Sequence, residues 1–135
     1  MRRLHRVPRV LALVAALAGT ACSDSTAPVT PAEVAGVYTL ASVTGRGPSL
    51  GTFTLTADGR AQRQAHFESG SSPYDQQLIG SFKIEGGTIA FELIPRDVPA
   101  DFVWPVKGQW LGSYFTITYP DPADGPNVVE LYRRQ

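Results

Sequence analysis

From Val37 to the end of the chain, apolar and polar residues alternate with a period of two, and the runs are broken by Gly, Pro, Asp and Asn. No ten-residue stretch in this region carries a helical period. A period of two places every second side chain on one face, so the pattern admits β-structure with one buried face. Eight strands are predicted, at about 37–44, 51–56, 60–68, 76–85, 88–94, 102–110, 113–119 and 128–134. Every connection is short enough for a hairpin, which makes the fold class an all-β, eight-stranded antiparallel up-and-down meander. One buried face along eight sequential strands closes as a barrel or stacks as a two-sheet sandwich. Closure removes exposed edges, so a small barrel is expected. Pro105, on the outward parity of the sixth strand, has no N–H to give and points to a bulge or open edge there. Thr30-Pro31-Ala32-Glu33 is a capping-box pattern with Pro at the first helical position, so a short helical turn precedes the meander.

The turns can be tested against the faces they join. A three-residue loop at Ala57-Asp58-Gly59, with Gly59 left-handed, sets Leu55 opposite Ala61 and Phe53 opposite Arg63. A two-residue turn at Gly86-Gly87 pairs Ile84 with Ile89 and Phe82 with Phe91. A two-residue turn at Leu111-Gly112 sets Gly108 opposite Phe115, Val106 opposite Ile117 and Trp104 opposite Tyr119. On the last strand the inward residues are taken as Val129 and Leu131. The remaining inward positions include Tyr38, Leu40, Phe67, Leu78 and Leu93.

The N-terminus has a different character. Arg2, Arg3, Arg6 and Arg9 precede an apolar run from Val10 to Ala18, small residues follow, and no acid occurs before Asp24. This is the layout of a secretory signal. Nine apolar residues rise only ~14 Å as a helix, about half of a ~30 Å hydrocarbon core, so the run is too short to span. Beyond Ala21 the chain keeps eight of its Lys and Arg and all twelve Asp and Glu, a net charge of −4. That balance argues against a nucleic-acid partner. The single cysteine, Cys22, excludes an internal disulfide framework and a Cys-rich zinc site. It stands directly after Gly19-Thr20-Ala21, and this segment resembles the lipobox of bacterial lipoproteins, although Leu17 lies five residues before Cys22 rather than three. The resemblance implies cleavage before Cys22, acylation of Cys22 and a membrane partner held through the acyl chains. Ser23 rather than Asp directly after the Cys implies the periplasmic face of the outer membrane. The expected organisation is a signal peptide over 1–21, a lipidated Cys and tether over 22–35 and a barrel over 36–135. The tether, Ser23 to Val29, is small, polar and Pro-containing, with a reach of only ~16 Å.

A helical turn leading into Gly36-Val37-Tyr38, then a meander ending Leu131-Tyr132-Arg133, resembles small lipocalin-like (calycin) barrels. Those families carry Gly-x-Trp on the first strand and an arginine near the last strand that packs on the ring. The resemblance implies that Gly36 and Tyr38 hold the motif positions, with Tyr in place of Trp, and that Arg133 or Arg134 supplies the guanidinium. At roughly 100 residues the barrel is shorter than ligand-carrying lipocalins.

Little in the chain points to catalysis. His66 is the only histidine beyond Cys22 and shares the outward parity of the third strand with Arg60, Gln62, Gln64 and Glu68, so no second histidine or cysteine completes a metal site or a nucleophile–base pair. Asp121 to Asn127 resembles a calcium loop in composition only, and its Pro and Gly fit a hairpin loop. No phosphate-binding Gly-rich loop and no Gly-x-Ser-x-Gly elbow are present, so no cofactor is expected. Arg63 falls on the inward parity between Ala61 and Ala65; it sits at the rim, pairs with an acid or ligand, or marks a register error. The segment from Pro95 to Trp104 could form a lid over a cavity or a plug. The expected function is a non-enzymatic, membrane-anchored lipoprotein whose barrel binds a small apolar ligand or lipid through Arg63, Trp104 and Tyr119. The alternative is a cell-envelope interaction lipoprotein with a filled barrel core.

Overall fold

The computed structural model describes residues 27–68, 72–97 and 102–135. A short helix α1 (Pro31–Val34) leads into β1 (Gly36–Thr44), β2 (Leu50–Leu55), β3 (Arg60–Phe67), β4 (Tyr74–Glu85), β5 (Thr88–Pro95), β6 (Trp104–Gln109), β7 (Tyr114–Tyr119) and β8 (Val128–Arg134). Each strand pairs antiparallel with the one before it, and β8 returns to β1, so the sheet closes as the expected barrel. At α1, Glu33 reaches back to the Thr30 N–H at 3.3 Å, and Val34 turns into the core with no exposed surface.

Two hairpins have the expected registers. Across the first, Leu55 faces Ala61 and Phe53 faces Arg63, with Gly59 at φ 85°, where a side chain would be strained. Across the second, Ile84 faces Ile89 and Phe82 faces Phe91, with Gly86 and Gly87 both at positive φ. The β6–β7 hairpin differs. Lys107 faces Thr118, Trp110 bridges Phe115 and the Leu111 N–H donates to the Tyr114 carbonyl, so the register is displaced by two residues from that of the expected turn at Leu111-Gly112. Gly108 therefore faces Ile117 rather than Phe115. A shift of two preserves the faces, so Phe115 and Ile117 still point inward and are fully buried. The open edge suggested by Pro105 is absent: Pro105 faces Glu92 in the β5–β6 ladder, and the thinner pairing lies between β6 and β7.

The last strand has the opposite parity to the expected one. Val128, Glu130 and Tyr132 are buried, while Val129 and Leu131 are only partly covered. The cause is the neighbouring register. Tyr132 faces Phe115 on β7 and Leu40 on β1, Glu130 faces Ile117 and Val43, and directly opposed residues share a face. A register shift between Leu40 and Ser42 turns β1 over partway along its length and keeps Val43 with Glu130.

The up-and-down order sorts the connections to two ends. One end gathers α1, the three tight hairpins and the end of β8. The other gathers the β1–β2, β3–β4, β5–β6 and β7–β8 connections. The first end is filled by aromatic rings: Phe53 lies 4.9 Å from Phe91, 5.3 Å from Phe115 and 4.8 Å from Tyr132 between ring centroids. Such edge and tilted pairs add ~0.5–1.5 kcal/mol each beyond their area.

Candidate functional site

Above the aromatic core lies a polar layer. Arg63 projects inward from β3 and is fully buried. Its Nη2 donates to both carboxylate oxygens of Glu130 on β8, at 2.7 and 3.0 Å, and its Nη1 donates to Oε1 of Gln76 on β4. Tyr119 and Tyr132 donate their hydroxyls to the two Glu130 oxygens at 2.5 and 2.6 Å. The guanidinium carbon also lies 5.3 Å from the Trp104 ring centroid, 5.8 Å from Phe67 and 5.9 Å from Phe53. The buried Glu130 carboxylate thus has three donors, whereas the Arg63 Nε–H is buried without an acceptor.

The electrostatics follow from the packing. Burial works against charge on Arg63, but Tyr132 and the paired, hydrogen-bonded Glu130 leave its pKa raised above the usual arginine value. Burial, then the Glu130 carboxylate, push the Tyr119 phenol well above its usual range. Burial does the same to Tyr132, with Arg63 opposing and Glu130 reinforcing it.

Over this layer opens a cavity of about 880 Å³ at the long-loop end. Arg63, Gln76 and Tyr119 contribute polar groups to it; Phe67, Leu78, Trp104 and Phe102 make its walls apolar. Trp104 meets Tyr119 edge to face, with centroids 5.1 Å apart. Phe67 stacks on Tyr74 at 4.9 Å and 7°. Across the mouth, Arg46 of the β1–β2 connection pairs with Asp121 of the β7–β8 connection at 2.8 Å. The Ala123 N–H, then Arg46, hold the Asp121 carboxyl below the usual range. This loop is thus tied by hydrogen bonds and an ion pair, in keeping with the hairpin reading.

The three cavity residues singled out in the sequence, Arg63, Trp104 and Tyr119, therefore line one space. Arg63 is not at a solvent-exposed rim but at the floor, and its partner is Glu130. Two residues of this polar layer were missed. Glu130 was hidden by the parity assigned to β8; the unpaired inward Arg63 was itself the signal that an inward acid existed. Gln76 shares the inward parity of Leu78 and could have been read from it. Pro95 and Phe102, of the segment read as a lid or a plug, line the cavity, while residues 98–101 lie outside the described residues, as do Cys22 and residues 1–21, read as a signal.

At the opposite end, Tyr38 is buried and donates to the Val34 carbonyl at 2.6 Å. The guanidinium on Tyr38 comes from Arg134, not Arg133. Arg134 lies 5.3 Å from the ring centroid and donates to the Tyr38 hydroxyl at 2.7 and 3.1 Å and to the Glu33 carbonyl at 2.5 Å. Tyr38 faces Arg134 across the β1–β8 ladder, so Arg133 has the outward parity and is exposed. Gly36 admits the Arg134 side chain, whose Nε lies 3.4 Å from where a Cβ would be. His66 bonds Asp75 at 2.6 Å on the barrel exterior, away from the cavity. Among the described residues no group of three or more His, Cys, Asp or Glu could hold a metal ion.

Fold and site together define a small closed antiparallel β-barrel with an aromatic core at one end and a cavity at the other. Set against protein-family models, curated proteins and solved structures, the chain matches none.

Proposed function

We propose that this protein is an exported, lipid-anchored barrel of lipocalin-like build that holds a small apolar ligand or lipid without transforming it. The observation that carries the reading is the cavity of about 880 Å³, apolar in its walls and polar at its floor. Its volume falls in the range of small-molecule pockets, about 300–1,000 Å³. The α1 turn, Gly36, Tyr38 and the Arg134 guanidinium at the opposite end support the lipocalin-like part of the reading. The basic, apolar and small-residue sequence before Cys22 supports export and acylation of Cys22, with residence on the periplasmic face of the outer membrane. A non-catalytic role is supported by the pairing of the ionisable groups: Arg63 with Glu130, Arg46 with Asp121.

Native mass spectrometry of a Cys22→Ala chain, taken from its own host without detergent, tests the central claim. An extra mass that leaves on denaturation is expected; a bare chain that takes up no added lipid sinks it. Membrane association unchanged by Cys22→Ala would sink the anchor.

The second reading, an envelope protein that docks a partner, is favoured by the apolar residues around the mouth. Leu50, Tyr74, Phe102 and Val103 are all about half exposed or more. Crosslinking from Phe102 in intact envelopes should then capture one specific protein, and a failure to do so counts against it.

A further inference from the structure

We propose that the cavity selects a neutral amphiphile, with an alcohol, ester or amide head, and that Glu130 is the specificity-determining residue that turns carboxylates away. This rests on the cavity reading above and deepens it by naming the class of ligand.

An inward arginine at the floor of an apolar cavity invites an anionic head. The charges around it remove that invitation. Both carboxylate oxygens of Glu130 are engaged by Arg63 Nη2, and the hydroxyls of Tyr119 and Tyr132 hold the same carboxylate at 2.5 and 2.6 Å. Three residues pin Glu130 in place, so it cannot swing aside and release Arg63 without orphaning all of them. The other cation at the cavity, Arg46, is committed to Asp121 at 2.8 Å. Among the described residues the charged groups lining or underlying the cavity are Arg46 and Arg63 against Glu68, Asp121 and Glu130. One negative charge is in excess. A carboxylate entering here gives up its hydration and meets only cations already paired with carboxylates, a far larger cost for a charge than for a neutral head.

The floor presents neutral hydrogen-bonding groups instead. The Oε1 of Gln76 accepts from Arg63 Nη1, which fixes the amide orientation, because an NH₂ group cannot accept. The Gln76 NH₂ therefore points away from Arg63, and among the described residues it makes no hydrogen bond; Gln76 lines the cavity. Tyr119 also lines it, and with its proton given to Glu130 its oxygen keeps only acceptor capacity. An unused donor on Gln76 and acceptor capacity on Tyr119, both lining an otherwise apolar cavity, match a hydroxyl, ester or amide at the end of a hydrocarbon chain.

The test is calorimetric titration of the unaltered protein at pH 8 with three probes of one chain length: decanol, N-methyldecanamide and decanoate. The alcohol and the amide should bind at least about ten-fold tighter than the carboxylate. Glu130→Gln keeps an acceptor for Arg63 but removes the opposing charge, so it should raise decanoate affinity by about ten-fold or more while leaving decanol within about three-fold. Decanoate binding as tightly as decanol to the unaltered protein overturns the selectivity and leaves the cavity reading standing. Decanoate affinity unchanged in a folded Glu130→Gln overturns the role of Glu130. Silence from all three probes overturns the cavity reading and this proposal with it. If Glu130→Gln fails to fold, the ranking on the unaltered protein decides.

Discussion

Arg63 and Glu130, 67 residues apart in the chain, meet inside the barrel with Nη2 at 2.7 and 3.0 Å from the two carboxylate oxygens. Their strands are not neighbours: β3 pairs with β2 and β4, and β8 with β1 and β7. The pair therefore spans the interior, tying two walls that no backbone ladder joins. Both side chains are essentially unexposed. Removing one partner of such a pair leaves the other charge buried and uncompensated, at a cost of ~3–5 kcal/mol. Glu130→Leu should show that loss as a lower urea midpoint at constant m-value. The double variant Arg63→Met with Glu130→Leu should regain most of it, because both desolvation penalties vanish together. A double variant no more stable than the single would show that the penalty lies in packing rather than in the unpaired charge.

The phenol of Tyr132 gives the barrel an alkaline limit. Its pKa in the folded protein is raised by burial and Glu130 above the ordinary ~10 of an unfolded tyrosine. The unfolded chain thus releases this proton first, and stability falls as pH rises. The contribution is complete below about pH 10 and is lost above it by ~1.4 kcal/mol per pH unit. Tyr119 shifts in the same direction but is less buried and adds less. Denaturation midpoints followed across pH 9 to 12 should decline steeply in the parent and more gently in Tyr132→Phe. Equal slopes would mean that Tyr132 ionises without unfolding. At neutral pH the same variant should lose ~1.5–3 kcal/mol, the range for a hydrogen bond to a charged group.

Much of this was legible in the chain itself. The turn at Ala57-Asp58-Gly59 could be read because only one loop length brings Leu55 opposite Ala61, and the Gly86-Gly87 turn for the same reason. Binary patterning fixes a face but not a register, which is why the β6–β7 hairpin was displaced by two residues with its inward side chains unchanged. The last strand failed for a different reason. Val128, Glu130 and Tyr132 against Val129 and Leu131 offer two alternations of nearly equal apolar weight. The choice is made by long-range pairing with Phe115 and Leu40 across an eight-residue connection and a bulge. The polar layer of the site was lost with that strand. Arg63 was visible as an anomaly, but its meaning depended on a carboxylate whose parity only closure of the barrel decides.

The closed end separates two adjacent arginines. Arg134 donates to the Tyr38 hydroxyl and the Glu33 carbonyl, bracing the last strand against α1 and β1, whereas Arg133 faces outward. Arg134→Ala should lower stability by ~1–2 kcal/mol, and Arg133→Ala should stay within about 0.5 kcal/mol of the parent. Thermal melts of the two variants measure the contrast. Faster amide exchange at Val34 and Ala35 should accompany the first variant alone, since it frees the helical turn that Arg134 holds. The reverse order of effects would place the bracing contact on Arg133.

Gly108 tests the displaced hairpin directly. A Cβ built on it would fall 1.4 Å from the Thr116 carbonyl oxygen and 2.9 Å from the Ile117 Cα. Both are backbone atoms, so no side-chain rotation relieves the clash; β6 and β7 would have to part, at the seam where ladder pairing is thinnest. Gly108→Ala should therefore destabilise by about 3 kcal/mol or more, at the upper end for added core volume. Gly112, in the loop of the same hairpin, has nothing within 4 Å of its Cβ position but sits at φ 91°, so Gly112→Ala carries only backbone strain, ~1–2 kcal/mol. Urea melts that rank Gly108→Ala well below Gly112→Ala support the register with Gly108 opposite Ile117. The opposite ranking would favour the turn at Leu111-Gly112, in which the tight backbone contact at Gly108 has no reason to exist.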